Sequence, residues 1–200
     1  EAPYGIILCV GPTGSGKTTT LHSCLGYLNT PDVKIWTAED PVEITQKGLR
    51  QVQVMPKIKF TFEKALRAFL RADPDIILIG EMRDLETASA GIEASLTGHL
   101  VFSTLHTNNA PETITRLLDM GLDPYVFGDS LLGVLAQRLC RRLCACKEEA
   151  PPTEEEFNIL KDEFGNDEVW NSLNLQREKC VLGKAKGCDR CNNTGYKGRM

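Results

Sequence analysis

The chain has 200 residues, enough for one α/β core and a small appendage. With 42% hydrophobic residues, 25% charged residues and a formal net charge of −4, it has the composition of a soluble globular chain and gives no general reason to expect a nucleic-acid partner. No apolar run approaches the roughly 20 residues that span a bilayer, and the N-terminus lacks a secretory signal pattern, so a cytosolic location is expected, with peripheral membrane docking left open.

The elements follow from apolar periodicity and turn signals. "YGIILCV", Tyr4 to Val10, is a short apolar run ending in a Gly-rich turn and predicts a buried strand. A helix is expected from Lys17 to about Leu28, then strands over Val33 to Ala38 and Arg50 to Met55. Phe62, Leu66, Phe69 and Leu70 keep helical spacing until "ADPD", where the residue before proline leaves the α region. Ile76 to Ile79 predicts a second fully buried strand, followed by a helix over Leu85 to Ser95 and a strand over Leu100 to Thr104. Helices are expected over Ala110 to Asp119 and Tyr125 to Arg142; Thr153 with Glu156 forms a capping box for one ending near Phe164. This alternation argues for an α/β fold with a mainly parallel sheet flanked by helices.

Charge is unevenly spread. Between Glu148 and Glu168 nine acids meet one base, a local net of −8, which leaves 18 acids and 22 bases, a net of +4, in the remainder. A mildly basic core suits an anionic ligand. "GPTGSGKT", with Thr19 after it, supplies the site: Gly11, Pro12, Thr13, Gly14, Ser15, Gly16, Lys17 and Thr18 lie between a strand and a helix. Glycines let successive backbone N–H groups turn toward phosphate oxygens, and the helix dipole adds to them. Lys17 is expected on the β and γ phosphates, Thr18 on magnesium.

Acids follow the neighbouring strands. In "TAEDPVE", Glu39, Asp40 and Glu43 come directly after a predicted strand, on the edge where open α/β sheets bind ligands. Glu81 in "DIILIGEMRD" and His106 in "STLHTNN" follow the next two core strands. Glu81 is a candidate to orient or deprotonate water, and His106 a candidate for sensing or positioning. Gly80 stands where such sites commonly carry a magnesium-binding acid.

These four boxes, in this order, resemble the secretion ATPase superfamily, whose members power type II secretion, assemble or retract type IV pili, or drive archaeal flagella. The resemblance runs from Tyr4 to the last residue and includes the Gly80–Glu81 pair. It implies a RecA-like P-loop core over residues 1–143, binding ATP with magnesium, with catalytic roles for Glu81, Glu39, Glu43 and His106 and nucleotide contacts from Thr19 and Asp40. It also implies a fragment of a longer protein, lacking N-terminal domains and the C-terminal end. The complete protein would be a homo-hexamer, cytoplasmic and peripheral at a bacterial inner membrane, where it meets platform and adaptor proteins and no nucleic acid.

Eight cysteines divide unevenly: Cys9 and Cys24 lie in apolar settings, and six follow residue 139. "GCDRCNNTG" places Cys188 and Cys191 at a spacing that puts two thiolates on one ion. "CRRLCAC" offers either Cys144 with Cys146 or Cys140 with Cys144 as the other half. Cys144 and Cys146 are preferred, because Leu132, Leu135, Leu139 and Leu143 suggest that Cys140 belongs to the preceding helix. The set resembles the four-cysteine zinc subdomain, here 144–200, of type II secretion and pilus-assembly ATPases, whose first pair is usually C-x-x-C. Arg138, Arg141 and Arg142 are expected on a solvated helix face. Three functions remain in contention: a type II secretion or pilus-assembly motor, a non-catalytic nucleotide-gated module, and, disfavoured by the cysteines and the acidity, a nucleic-acid translocase.

Overall fold

The computed structural model describes residues 4–200, which divide into two compact units, one ending at Arg138 and the other spanning Leu139–Met200. In the first unit the elements run β1 (Gly5–Val10), α1 (Lys17–Leu28), β2 (Ile35–Glu39), β3 (Arg50–Gln53), α2 (Phe62–Phe69), β4 (Ile76–Ile79), α3 (Leu85–Leu96), β5 (Leu100–Leu105), α4 (Ala110–Asp119), α5 (Pro124–Ser130) and β6 (Leu131–Ala136). The six strands form one sheet in the order β3-β2-β4-β5-β1-β6, with every neighbouring pair parallel. Parallel strands need crossovers, and helices of the crossovers cover both faces of the sheet.

The period-two alternation of strand side chains sorts the core into two layers. Ile6, Leu8 and Val10 of β1 and Ile77 and Ile79 of β4 pack with Leu66 and Phe69 of α2, Ala88 and Ile92 of α3, and Phe127 of α5. The alternate residues, Cys9 of β1, Ile35 of β2 and Ile76 and Leu78 of β4, pack with Leu21 and Leu25 of α1. The helices start where side chains satisfy free amides: the hydroxyl of Thr61 accepts from Lys64 N, and the carboxylate of Asp84 accepts from Thr87 N at 2.8 Å.

The helix expected over Tyr125 to Arg142 forms only in its first two turns. It stops at Ser130, and Leu131–Ala136 pairs with β1 as a sixth parallel strand, from Ile6 opposite Leu131 to Val10 opposite Ala136. Strand β1 would otherwise present one row of its backbone groups unpaired beside a buried core, and "LLGVLA", with glycine and valine at its centre, holds a helix only weakly. The leucine stripe is therefore not helical, and Arg141 and Arg142 lie on a strand rather than a helix face.

In the second unit β7 (Arg141–Leu143), β8 (Glu148–Ala150), α6 (Glu154–Phe164), α7 (Asp167–Ser172), β9 (Leu182–Lys184) and β10 (Tyr196–Arg199) make two antiparallel ribbons, β7 with β10 and β8 with β9, and a helix pair. The expected capping box is present: Thr153 N donates to Glu156 Oε2 at 2.8 Å and Glu156 N to Thr153 Oγ1 at 3.2 Å. Trp170 meets the edges of Phe157 and Phe164, each 5.5 Å away between ring centres. The Arg141 guanidinium lies 4.1 Å above the Tyr196 ring, a cation–π contact across β7 and β10. Among the described residues no helix is long and apolar enough to cross a membrane.

Ile77 is fully buried in the central strand β4. Ile77→Ala is expected to lower unfolding free energy by about 2–5 kcal/mol, measured by urea denaturation.

Candidate functional site

Every sheet strand of the first unit runs the same way, so the residues following β1, β2, β4, β5 and β6 share one edge. After β1 the chain curls through Gly11, Gly14 and Gly16, with φ of 143°, 78° and 88°, angles that side-chain-bearing residues rarely adopt. A Cβ on Gly11 would lie 2.3 Å from the Gln137 carbonyl oxygen. Gly16 caps α1 in a left-handed conformation without a side-chain hydrogen bond, so no side chain caps the first amides of α1. The Ser15 hydroxyl is buried in the same loop with no protein partner. The buried, unpartnered Ser15 hydroxyl beside a helix start without a side-chain cap fits a phosphate group.

Lys17, buried at the start of α1, donates from Nζ to the carbonyls of Gly11 at 2.8 Å and Pro12 at 3.2 Å. Burial pulls its pKa below the usual lysine value, while Cys9 and the Glu81 carboxylate act against that shift. The influence of Glu81 on Lys17 joins the loop and the acid in one electrostatic site. Thr18 is half-buried on the first turn of α1 and Thr19 is exposed.

Glu81 is positioned by backbone pairing between strand ends. Gly80 N donates to Ala38 O at 2.7 Å, Thr104 Oγ1 donates to Gly80 O at 2.7 Å, and Met82 N donates to Thr104 O at 3.0 Å. The Glu81 carboxylate then pairs with the Arg83 guanidinium on one oxygen and lies 3.6 Å from His106 Nε2 on the other. The hydrogen bond to Glu81 is the main reason the Arg83 pKa is raised, helped by the charges of Glu81, Asp40 and Asp84. Glu81 thus stands between His106 and an arginine, Arg83, that motif spacing had not singled out.

Glu39 is placed differently. Alternation along β2 turns it to the face that α1 covers, where it is 4% exposed. Its Oε1 accepts from Thr37 Oγ1 at 2.6 Å and Gln51 Nε2 at 3.0 Å, and its Oε2 lies 3.0 Å from Nε2 of the buried His22 on α1. Asp40 and Glu43 are exposed beyond the strand. His22 and Gln51 carry no sequence signal of their own, since they become partners of Glu39 only when α1 and β3 flank β2. Gln137, after β6, was hidden by the helix expected there.

Backbone of the adjoining strand comes close to Gly80: a Cβ there would meet Ala38 O at 3.1 Å and Glu39 Cα at 3.3 Å. That close approach of β2 to β4 gives the glycine at 80 a packing reason in addition to any role beside phosphate.

In the second unit the sulfurs of Cys144, Cys146, Cys188 and Cys191 all lie within 4.8 Å of one another. Three of the separations are 3.9, 3.9 and 3.8 Å, close to the about 3.8 Å edge of a tetrahedron with zinc–sulfur bonds of about 2.3 Å. Burial raises the Cys191 pKa, but amide hydrogen bonds from Cys188 and Gly195, helped by the neighbouring thiols, outweigh it and bring the value to about 6. Burial and the other thiols push Cys146 up to about 12. The donor set is compatible with zinc. Cys140 is exposed and outside the cluster, its backbone paired with Met200, and Cys180 is also outside. Preferring Cys146 over Cys140 agrees with this cluster, although the reason is a strand and not a helix.

A glycine loop from a parallel strand into a helix, a buried lysine, and acids on adjoining strand ends define a RecA-like P-loop nucleotide-binding core. The chain belongs to the type II/IV secretion system protein family, whose model matches residues 1–200. It is 49% identical over 200 residues to the type II secretion system ATPase E of Vibrio cholerae, covering 100% of this chain and 37% of that protein. It is 50% identical over 205 residues to the type IV pilus assembly ATPase PilB of Myxococcus xanthus, covering 100% of this chain and 34% of that protein. The chain therefore spans little more than a third of either relative. The crystal structure of the pilus retraction motor PilT with bound ADP matches with a TM-score of 0.66 and 38% identity, over 88% of this chain and 55% of that one.

Gly80→Asp is expected to cost about 1–3 kcal/mol of stability through overpacking against β2, read by chemical denaturation.

Proposed function

We propose that this chain carries the ATP-hydrolysing centre of a motor for type II protein secretion, coupling ATP turnover to pseudopilus assembly and protein export. The observation that carries the reading is the shared strand edge, where the phosphate loop, Lys17, Asp40, Glu81 and His106 converge. The loop amides and Lys17 bind the phosphates of ATP, with Pro12, Thr13 and Thr19 on the rim. Thr18 would hold magnesium, which supplies charge neutralisation at the phosphates and commonly keeps several waters, so few protein ligands are needed. Exchange of the loop carbonyls for phosphate oxygens frees Lys17 to follow the charge that develops there.

Glu81 acts on water, orienting it or taking its proton as it attacks the γ phosphate in line. Arg83 and His106, one on each oxygen, fix the direction of the Glu81 carboxylate. Glu39 supports the site by tying β2 to α1, since its carboxylate oxygens are already engaged, and the exposed Asp40 and Glu43 are the acids of that box free to face magnesium or water. The four cysteines would hold a structural zinc ion in the second unit, whose compact body begins at Leu139 rather than at residue 144, and the ATPase core is the first unit, which ends at Arg138. In the intact protein the motor is a homo-hexamer, cytoplasmic and peripheral at a bacterial inner membrane, working with platform and adaptor proteins. The second reading, type IV pilus assembly, is favoured by near-equal identity to relatives of both names. Restoration of secretion, or of piliation, in a strain lacking the corresponding ATPase separates the two.

Glu81→Gln in the intact protein is expected to retain ATP binding and lose at least about 100-fold in turnover. Unchanged turnover would overturn the role of Glu81, whereas a wild-type protein that binds ATP without turning it over would favour the nucleotide-gated module. Elemental analysis should find about one zinc per chain, lost in Cys146→Ser and kept in Cys140→Ser.

A further inference from the structure

We infer that Gln137 is a positioning residue for phosphate binding, a clamp that sets the curvature of the Gly11–Thr18 loop from the end of β6. This rests on the nucleotide-binding reading of that loop. Three hydrogen bonds carry the inference. Gln137 N donates to Val10 O at 2.8 Å, continuing the β1–β6 ladder one residue past the strands. Its side-chain Nε2 donates to Ser15 O at 2.7 Å, and its Oε1 accepts from Thr20 Oγ1 at 2.7 Å.

One side chain therefore grips the loop just before Gly16 and the helix just after Thr19, bracketing Lys17 and Thr18 from both sides. Holding the Ser15 carbonyl on Gln137 points it away from the mouth of the loop, where it would repel a phosphate oxygen. The Gln137 carbonyl also makes position 11 a glycine, because a Cβ there would stand 2.3 Å from it. An amide is suited to the task, since it donates and accepts at once, whereas a carboxylate would face the Ser15 carbonyl with a second acceptor. Gln137 does not reach the reacting atoms and works through the shape of the loop.

The test measures the dissociation constant of a fluorescent ATP analogue with magnesium, together with thermal melting, in the intact protein. Gln137→Met keeps the volume and loses the bonds to Ser15 and Thr20, along with a long contact from Cys9 Sγ at 3.9 Å; it is expected to weaken binding about tenfold, the scale of one to two net hydrogen bonds. Thr20→Val should weaken it less, and the double variant no more than Gln137→Met alone. Gln137→Glu keeps the acceptor for Thr20, opposes the Ser15 carbonyl, and should bind at least as weakly; it replaces the methionine variant if that one does not fold. Wild-type affinity in both Gln137 variants, or effects of Gln137→Met and Thr20→Val that multiply independently, would overturn the clamp. Lys17→Ala is the control: if it too binds as wild type, the nucleotide reading fails and the clamp with it. If Lys17→Ala alone loses affinity, only the clamp fails.

Discussion

Parallel pairing of β1 on both sides is the constraint on which the rest of the first unit depends. Bonded to β5 along one edge and β6 along the other, β1 cannot slide without breaking two ladders, and the loop that follows it inherits that rigidity. Because the neighbouring strands run in the same direction, their C-terminal ends lie together, and residues as distant in the chain as Gly11 and His106 share one edge. A phosphate-binding loop needs amides held in place before the ligand arrives, since any ordering left until binding subtracts from affinity.

Burial separates the acids at the strand ends. Alternation along β2 puts Glu39 under α1, where a buried carboxylate is tolerable because Thr37, Gln51 and His22 satisfy it. One residue later the chain has left the strand, and Asp40 is exposed. Glu81 sits between these extremes, partly buried and held by an arginine and a histidine, so it keeps a defined direction while remaining reachable. Neighbouring acids in one motif therefore have different surroundings, decided by which side of a strand they fall on and how far past its end.

The second unit depends on a different physical device. Sixty-odd residues with short ribbons and two exposed helices bury little apolar surface, and domains of that size commonly need a staple. Two cysteines from the β7 turn and two from the turn before β10 converge to sulfur separations that suit a tetrahedral ion. Metal ligation of such a cluster is folding free energy as well as chemistry.

The phosphate loop, the strands before it and before Glu81, and the second cysteine pair were legible in the sequence because each rests on local chemistry: glycine dihedrals, an unbroken apolar run, a two-residue spacer. Residues 131–136 were not legible, since a leucine stripe suits a helix or an edge strand about equally and only the open side of β1 chose between them. With that choice came Gln137, the membership of Cys146 for a reason other than the one spacing suggested, and the strand setting of Arg141. Likewise His22, Gln51 and Arg83 became partners of named acids only through packing. The sequence by itself determined which chemistry is present and that its boxes follow successive strands. The tertiary structure alone decided which acid faces solvent, which is locked beneath a helix, and which distant amide holds the loop, because strand order and register are set by non-local pairing that no local pattern encodes.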